Sequence, residues 1–192
     1  GLAIITGADG GMGQVITAAL AKEGYPVIMA CLDPEKAASL CNRIQQETGN
    51  TQIEVRRIDL ASLSSVNNFT GQLLKEGRPV SRLMNNAGIL TTPVRKTEDG
   101  LETIVSVNYV APYMLTRQLL PLMQPGCRIV NTVSCTYAIG RIEPDFFEKG
   151  RNGRFFRIPV YSNTKLALLL FTQELAERLQ NQGITINASD PG

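Results

Sequence analysis

The feature that most constrains the fold is an alternation of short runs rich in Val and Ile with longer stretches of helix-type periodicity. The short runs are bounded by Gly, Asn, Asp or Ser, and several are apolar at nearly every residue. Strands of that kind are covered on both faces, as in parallel sheets. The pattern therefore predicts the doubly wound α/β class, with helices on both faces of a parallel sheet. The predicted strands are Leu2–Thr6, Pro26–Cys31, Gln52–Ile58, Arg82–Asn85, Arg128–Val133 and Ile184–Ala188.

Five helices are predicted between these strands. Asp33 followed by Pro34 has the composition of a helix start, and a glycine follows most helical stretches, as at a C-terminal cap. The sequence shows no internal repeat and no linker, so we expect a single domain over residues 1–192. Because it opens at Gly1 inside an apolar run and stops at Gly192, we expect truncation at both ends, with a C-terminal part missing. The predicted helices are Gly13–Glu23, Pro34–Thr48, Ser62–Lys75, Glu98–Met123 and Val160–Asn181.

Composition excludes several classes of function. The net charge is +2 with no block of like charges, which argues against a nucleic-acid surface, and no run is long enough for a membrane span. Histidine is absent, so Ser-His-Asp triads and His-ligated metals are excluded, and we predict no metal site. The four cysteines form no CxxC pair and are typical of reduced thiols in a cytoplasmic protein. They are Cys31, Cys41, Cys127 and Cys135.

A glycine-rich turn, Thr6-Gly7-Ala8-Asp9-Gly10-Gly11-Met12-Gly13, connects the first strand to the first helix. Glycines there allow a tight turn and a close approach of the backbone to a pyrophosphate, while the helix N-terminus directs free N–H groups at the anion. A flexible turn that needs positive φ is the alternative. The position between a strand and a helix favours nucleotide binding.

The spacing of that turn is TGxxxGxG, and three further segments match motifs of one family. These are Asn85-Asn86-Ala87-Gly88 after the fourth strand, Tyr161-Ser162-Asn163-Thr164-Lys165 in the last helix, and Pro191-Gly192 after the last strand. With these motifs the chain resembles the short-chain dehydrogenase/reductase family, classical type. The resemblance implies a Rossmann fold that binds NAD or NADP and an oxidoreductase acting on a small-molecule alcohol or ketone.

Tyr161 and Lys165 are four residues apart, so they lie one helical turn apart on one face. A nearby ammonium lowers the pKa of a phenol, which would suit Tyr161 to acid/base work on an alcohol or carbonyl. Chance placement on an exposed helix is the alternative. The resemblance implies that Tyr161 is the general acid/base and that Lys165 lowers its pKa and also binds the nicotinamide ribose. It further implies that Ser134 orients the substrate carbonyl, or else caps a turn, and that Asn108 supports a water in a proton relay.

The resemblance also implies where the cofactor binds. It places the pyrophosphate over Gly7, Gly11, Met12 and Gly13, and the adenine at Asp59 and Leu60. The adenosine ribose region would lie at Asn86 and Ala87, and the nicotinamide end at Tyr161 and Lys165. The choice between NAD and NADP stays open, because the residues that would carry an acid or an arginine after the second strand are Cys31 and Leu32. Asp33 is a possible ribose contact or a helix cap. Asp59 has the same alternative of capping a strand end.

Tyr161 lies 27 positions after Ser134, a longer spacing than in minimal members of the family. The position of this insert between two catalytic residues favours a loop that shapes the substrate entrance. Together with Thr97–Glu102 and Lys165–Phe171, the insert most resembles the retinol dehydrogenase and protochlorophyllide reductase branch, which implies a bulky, lipophilic substrate. The alternative is that its phenylalanines only pack the segment onto the domain. The insert mixes Phe146, Phe147, Phe155 and Phe156 with the basic residues Arg141, Lys149, Arg151, Arg154 and Arg157 and the acidic residues Glu143, Asp145 and Glu148.

The helix that follows Tyr161 carries six consecutive apolar residues, Leu166 to Phe171, so it is apolar around most of its circumference. Burial all round requires a second partner, and in the family this helix and the one before it form the common subunit interface. We therefore expect a homodimer or homotetramer, unless another covering segment beyond Gly192 buries the surface instead. The alternative to an enzyme is a catalytically silent NAD(P)-binding regulator or redox sensor. The presence of all four catalytic residue types favours the enzyme.

Pro112 lies inside the predicted long helix and has no N–H for the carbonyl of Asn108, four residues earlier. The helix should therefore kink at this point. The kink could simply let the helix follow the sheet. Alternatively, the freed Asn108 carbonyl accepts from a water that passes protons to and from Lys165, in which case that carbonyl faces the Lys165 side chain.

Overall fold

A computed structural model describes residues 1–91, 94–144, 146–147 and 157–191. One sheet of six parallel strands runs through it, in the order β3-β2-β1-β4-β5-β6. This is the strand order of the Rossmann fold, and it reverses between β1 and β4. The strands are β1 (Leu2–Thr6), β2 (Val27–Cys31), β3 (Ile53–Arg57), β4 (Val80–Asn85), β5 (Met123–Thr132) and β6 (Thr185–Ser189).

Helices cover both faces of the sheet, so the predicted fold class is confirmed. Two helices, α1 and α2, pack against one face through a core that contains Ile5, Met29 and Ile44. The longer helices on the other face enclose a larger core around Leu83 and Leu115. The helices are α1 (Gly11–Lys22), α2 (Pro34–Thr48), α3 (Leu63–Glu76), α4 (Thr103–Val105), α5 (Ala111–Leu119) and α6 (Arg157–Leu179).

Helix ends follow the signals in the sequence. The Asp33 side chain accepts a hydrogen bond from the backbone N–H of Lys36, so Asp33 caps α2 as one of its two predicted alternatives requires. Ser62 caps α3 in the same way. Gly49 and Gly77 end these two helices in the left-handed conformation, with φ of 71° and 63°.

The prediction of one long helix over Glu98–Met123 is wrong. Residues 97–101 form a turn closed by Gly100, whose φ is +79°, and Glu102 caps the helix that begins at Thr103. Met123 is the first residue of β5, which starts five residues before the predicted strand. The periodicity of apolar residues does not reveal that Gly100 adopts a left-handed conformation, and the turn before Thr103 was therefore missed.

The helix that contains Pro112 is irregular, and its predicted kink stays a prediction. A π-type turn spans Ser106–Val110 between α4 and α5, and the N–H of Ala111 donates to the carbonyl of Ser106, five residues earlier. Inserting one residue into the turn accommodates a proline that cannot donate to the ladder. The orientation of the Asn108 carbonyl toward Lys165 stays a prediction.

Candidate active site

The predicted site residues come from the carboxyl ends of four parallel strands. The glycine turn follows β1, Asp59 follows β3, Asn86 follows β4 and Ser134 follows β5. Parallel strands end at the same edge of the sheet, and ligands of open α/β sheets bind there, at the point where the strand order reverses. That point lies between β1 and β4, where an ideal Cβ on Gly7 would come within 3.1 Å of Ala87.

Three of the four glycines of the turn, Gly7, Gly11 and Gly13, have different steric environments. Gly7 has a φ of +61°, a conformation that residues with a Cβ rarely adopt. A Cβ on Gly13 would lie 2.8 Å from the Cα of Ala8 and would overlap the Gly7 carbonyl oxygen, so Gly13 permits close packing of α1 on β1. A Cβ on Gly11, the first residue of α1, would meet nothing within 4 Å. Gly11 is thus dispensable for packing and stands where α1 presents its free N–H groups.

Thr6 and Asn86 join the glycine turn to the loop after β4. The Thr6 hydroxyl accepts hydrogen bonds from the backbone N–H groups of Asn86 and Ala87, both at 3.1 Å. The Asn86 amide donates in return to the carbonyls of Thr6 and Gly7. The Asn86 side-chain oxygen is buried and has no protein partner. This loop is therefore fixed against the turn.

A cavity of about 260 Å³ lies beside the glycine turn. It contains Asp59 and Leu60, the residues predicted at the adenine, together with Gly7 and Ala87. Its lining also includes Asp9 and Leu32, the latter 60% exposed. Two carboxylates and no basic side chain line it. Its described walls therefore offer no cation to a phosphate on the ribose.

Asp59 also serves the other role that was predicted for it. Its carboxylate accepts from the N–H of Ala61, and its own N–H donates to the hydroxyl of Ser65. It therefore caps the turn after β3 and faces the cavity at the same time.

At the end of β2, burial raises the pKa of the Cys31 thiol to about 12, and the nearby Asp9 carboxylate adds to the rise. Cys31 is thus a neutral, buried thiol.

Tyr161 and Lys165 lie on α6, as predicted, with Tyr161 half-buried and Lys165 2% exposed. The Lys165 Nζ lies 5.4 Å from the centroid of the Tyr161 ring and donates to the Thr132 carbonyl at the end of β5, at 2.7 Å. Burial lowers the pKa of Lys165 to about 8. An ammonium group that can lose its proton near neutral pH therefore lies beside the phenol ring.

Ser134 is the N-cap of a 3₁₀ turn over Cys135–Ile139, where its hydroxyl accepts from the N–H and the hydroxyl of Thr136. The turn lies directly against α6, because a Cβ on Gly140 would approach the Ser162 carbonyl oxygen to 2.6 Å. The N–H of Arg141 donates to the Asn163 side chain at 2.7 Å. Ser134 therefore has a fixed position relative to the helix of Tyr161, and it caps a turn as its alternative interpretation predicted.

Asn108 is fully buried and clamps the loop after β4 through both halves of its amide. Its oxygen accepts from the N–H of Ile89 at 2.8 Å, and its nitrogen donates to the Ile89 carbonyl at 2.9 Å. Gly88 adjoins both Asn108 and the lysine, since an ideal Cβ there would lie 3.4 Å from the Lys165 Nζ and 3.7 Å from the Asn108 oxygen. The structure thus brings Asn108 and Lys165 to one place.

The insert after Ser134 is only partly within the described residues. Phe146 is 5% exposed and stacks edge-on against Tyr109, which agrees with the packing alternative, whereas Phe147 is 47% exposed. Both line an apolar cavity of about 440 Å³ with Tyr113 and Leu170. Other members of the predicted set lie outside the described residues: Asp145, Glu148, Lys149, Arg151, Arg154, Phe155 and Phe156.

Arg157, one of the basic residues of the insert sequence, lies inside the protein. It is 6% exposed and forms a buried ion pair with Glu102. It also begins α6 three residues before the predicted start. Sequence reasoning likewise missed the structural roles of Thr6, Thr132 and Glu102. Only Thr6 had a local signal, because it stands inside the glycine motif.

The described ranges contain neither a membrane-spanning helix nor a cluster of metal ligands. No helix in them has the length and apolar character that crossing a membrane requires. No group of three or more Cys, Asp or Glu side chains is placed there to hold a metal ion. Three of the four cysteines, Cys31, Cys41 and Cys127, are buried free thiols, and Cys135 is exposed.

Known sequences resemble the chain along most of its length. The family model described as short chain dehydrogenase matches residues 1–144. Retinol dehydrogenase 13 of Homo sapiens is 37% identical over 191 residues, which cover 98% of this chain and 57% of that protein. Retinol dehydrogenase 11 of Homo sapiens is 38% identical over 192 residues, with 98% and 59% covered. The chain thus spans less than two thirds of the length of these relatives.

Solved structures resemble the fold. An uncharacterised protein from Mycobacterium paratuberculosis superimposes with a TM-score of 0.84 at 37% identity, covering 100% of this chain and 68% of that one. A metagenomic short-chain oxidoreductase, solved in complex with NADP, gives a TM-score of 0.77 at 23% identity, with 100% and 81% covered. The second likeness concerns the fold alone.

Proposed function

Because the chain belongs to the short-chain dehydrogenase family, we propose that it transfers a hydride between a nicotinamide cofactor and an alcohol or carbonyl substrate, with Tyr161 as the general acid/base. The observation that carries the proposal is the convergence of Tyr161, Lys165 and Asn108 beside the loop that Thr6 fixes to the glycine turn. The Tyr161 phenol would provide the acid, the Lys165 ammonium would provide the charge that stabilises the phenolate, and the Asn108 amide would support the path of the proton.

The residues of the glycine turn fit a dinucleotide. Gly13 places the start of α1 next to the backbone of β1, and the cavity with Asp59, Leu60 and Ala87 adjoins the turn. In the proposed complex Gly7, Gly11, Met12 and Gly13 would hold the pyrophosphate, and Asp59 and Leu60 would border the adenine. When bound, the nicotinamide would donate or accept the hydride.

The protein side chains would handle the proton. In the reductive direction, Ser134 would hold the carbonyl oxygen by a hydrogen bond, and the Tyr161 hydroxyl would donate the proton that this oxygen takes up. Lys165 would stabilise the charge left on the phenol oxygen. Because burial brings the pKa of Lys165 to about 8, this ammonium can release and regain a proton near neutral pH. Asn108, next to it, would support the water that links it to solvent.

A bulky, lipophilic substrate is the proposed class. The named relatives are retinol dehydrogenases, and apolar side chains of the insert border the 440 Å³ cavity. We expect oxidation of NADH or NADPH, followed at 340 nm, with retinal and with long-chain aldehydes. Ketones of the size of acetone should give little turnover. Activity restricted to the small ketones would contradict this substrate class.

For the cofactor, we expect NADH to bind more tightly than NADPH, because Asp9 and Asp59 line the adenosine cavity without a cation. A Leu32→Arg variant supplies the missing cation and should raise the affinity for NADPH relative to NADH by about 10-fold, or 1.4 kcal/mol. Nicotinamide fluorescence measures both dissociation constants.

A matched control is Leu74→Arg, since Leu74 is also exposed (40%) but lies on α3 outside this cavity. It should leave both affinities unchanged. Tighter binding of NADPH by the unaltered protein would show the expectation to be wrong. In that case the basic residues of a neighbouring cleft, Arg57, Arg95 and Lys96, would be the source of the phosphate contact.

The cytoplasmic location and the homodimer or homotetramer stay predictions. On the helices expected to form the subunit interface, Tyr113 and Leu170 are 41% and 47% exposed. Phe147 of the insert lies in the same cavity wall. The insert therefore borders part of this surface.

A further inference from the structure

Glu102 and Arg157 form an ion pair inside the protein. The Arg157 guanidinium contacts one oxygen of the Glu102 carboxylate, and its Nε donates to the Thr91 carbonyl at 2.8 Å. The other oxygen of Glu102 accepts from the backbone N–H groups of Ile104 and Val105, at 2.8 and 3.2 Å. The two side chains are only 2% and 5% exposed.

Stability alone does not explain such a pair. Removing two charges from water carries a desolvation cost that the attraction between them often only offsets, and apolar residues of similar volume do as well. Buried pairs can instead fix one arrangement of the elements that carry them. The elements joined here are the N-terminus of α4, the loop after β4 and the first turn of α6.

The first turn of α6 has little other anchorage. Ile158 is 45% exposed, Pro159 is also exposed, and Val160 is half-buried. Dense burial starts only after Tyr161, with Ser162, Thr164 and Lys165. Tyr161 therefore stands at the boundary between a loosely packed turn and the packed body of the helix, and Arg157 is the buried residue of that turn.

The pair also reaches the other catalytic elements. Arg157 binds the loop after β4 at Thr91, and Asn108 holds the same loop two residues earlier, at Ile89. Glu102 caps the short helix that leads into the π turn containing Asn108. One carboxylate and one guanidinium thus connect the segments that carry Tyr161 and Asn108.

We propose that Glu102 and Arg157 are positioning residues, which hold the first turn of α6 so that the Tyr161 hydroxyl meets the substrate in one fixed geometry. The proposal rests on the proposed function, because the reaction is the one for which Tyr161 is positioned. Small displacements of a reacting group far from the altered residue can cost on the order of 100-fold in rate.

The test is Glu102→Gln in the full-length protein. The amide keeps the size of the side chain and the acceptor for Ile104 and Val105, but it removes the charge that faces Arg157. Arg157→Lys is the second variant. It keeps the positive charge, but a single amine cannot bind the Glu102 carboxylate and the Thr91 carbonyl as the guanidinium does. Glu177→Gln is the matched control, since Glu177 lies on the exposed surface of the same helix and does not line the 440 Å³ cavity.

Two readouts separate positioning from folding. Hydrogen exchange should become at least about 10-fold faster at the amides of residues 161–165 and stay unchanged at residues 168–179. With retinal and NADH, kcat should fall on the order of 10-fold to 100-fold, while the dissociation constant of NADH changes less than about 2-fold. Glu177→Gln should alter neither readout.

The remaining outcomes of the exchange and kcat measurements would each contradict one part of the proposal. Uniformly faster exchange along α6, or unchanged exchange, overturns the anchoring role, and faster local exchange with unchanged kcat overturns the positioning role. Should the unaltered protein bind NADH and reduce nothing, the proposed function fails, whereas the exchange data still decide whether the pair anchors Tyr161. If Glu102→Gln does not fold, Arg157→Lys is judged by the same criteria.

Discussion

Tyr161→Phe is expected to reduce turnover by about 10²–10⁴-fold, the contribution typical of a positioned acid/base group. Phenylalanine keeps the ring that lies 5.4 Å from the Lys165 Nζ but has no proton to give. Because Tyr161 is half-buried on a helix that Lys165 and Leu168 hold in place, the fold should not change. The measurement is kcat with retinal, together with the dissociation constant of NADH, which should stay within about 2-fold of its original value.

Tyr25→Phe is the control for this experiment. Tyr25 precedes β2, at the opposite edge of the sheet, and its hydroxyl contacts Arg82 at 2.7 Å. The Tyr25→Phe variant should have the same kcat with retinal as the original protein. A wild-type protein that binds NADH without turnover, and that Tyr161→Phe does not alter, would instead support the catalytically silent regulator. Turnover that persists in Tyr161→Phe would remove Tyr161 from the mechanism.

Gly13→Ala is expected to lower the free energy of unfolding by about 3 kcal/mol or more, the upper range for overpacking. The new Cβ would overlap the carbonyl oxygen of Gly7 and lie 2.8 Å from the Cα of Ala8. These are backbone atoms, so α1 and β1 would have to separate. The higher helix propensity of alanine, about 1 kcal/mol, is too small to compensate. Urea unfolding followed by circular dichroism measures the change.

Gly11→Ala is the matched substitution in the same turn. A Cβ there meets nothing within 4 Å, so the protein should be as stable as the original or slightly more stable. Under the proposed function, however, the methyl group stands where the pyrophosphate approaches the backbone, and the affinity for NADH should fall at least about 10-fold. Equal stability losses in the two variants, or unchanged NADH binding in Gly11→Ala, would contradict this division of roles.

The parts of the fold that depend on local pattern could be predicted from the sequence. β1 and β2 are apolar at every or nearly every position because helices cover both of their faces, and the caps at Asp33 and Gly49 depend on residues within one turn. The start of α4 could not be predicted this way. Glu102 ends the preceding turn and faces Arg157, 55 positions later, so its role exists only after the chain has folded.

The candidate site shows the same division. The positions of Gly7, Ser134, Tyr161 and Lys165 follow from motifs, and each lies on the predicted element. Their partners do not follow from motifs: the carbonyl that receives Lys165 belongs to Thr132, and the loop that Asn108 clamps is held at Ile89. Backbone groups have no signature in the sequence, because every residue carries the same ones.

Both ends of the insert are fixed near the catalytic residues, and this has a consequence for how the protein can change. At one end the Arg141 N–H is bound to Asn163, with Gly140 seated against the helix backbone, and at the other end Arg157 is bound to Glu102 and Thr91. These contacts are made by the two ends and not by the residues between them. We therefore expect that changes of length or sequence between Arg141 and Arg157 alter substrate preference more than they alter the spacing of Ser134 and Tyr161.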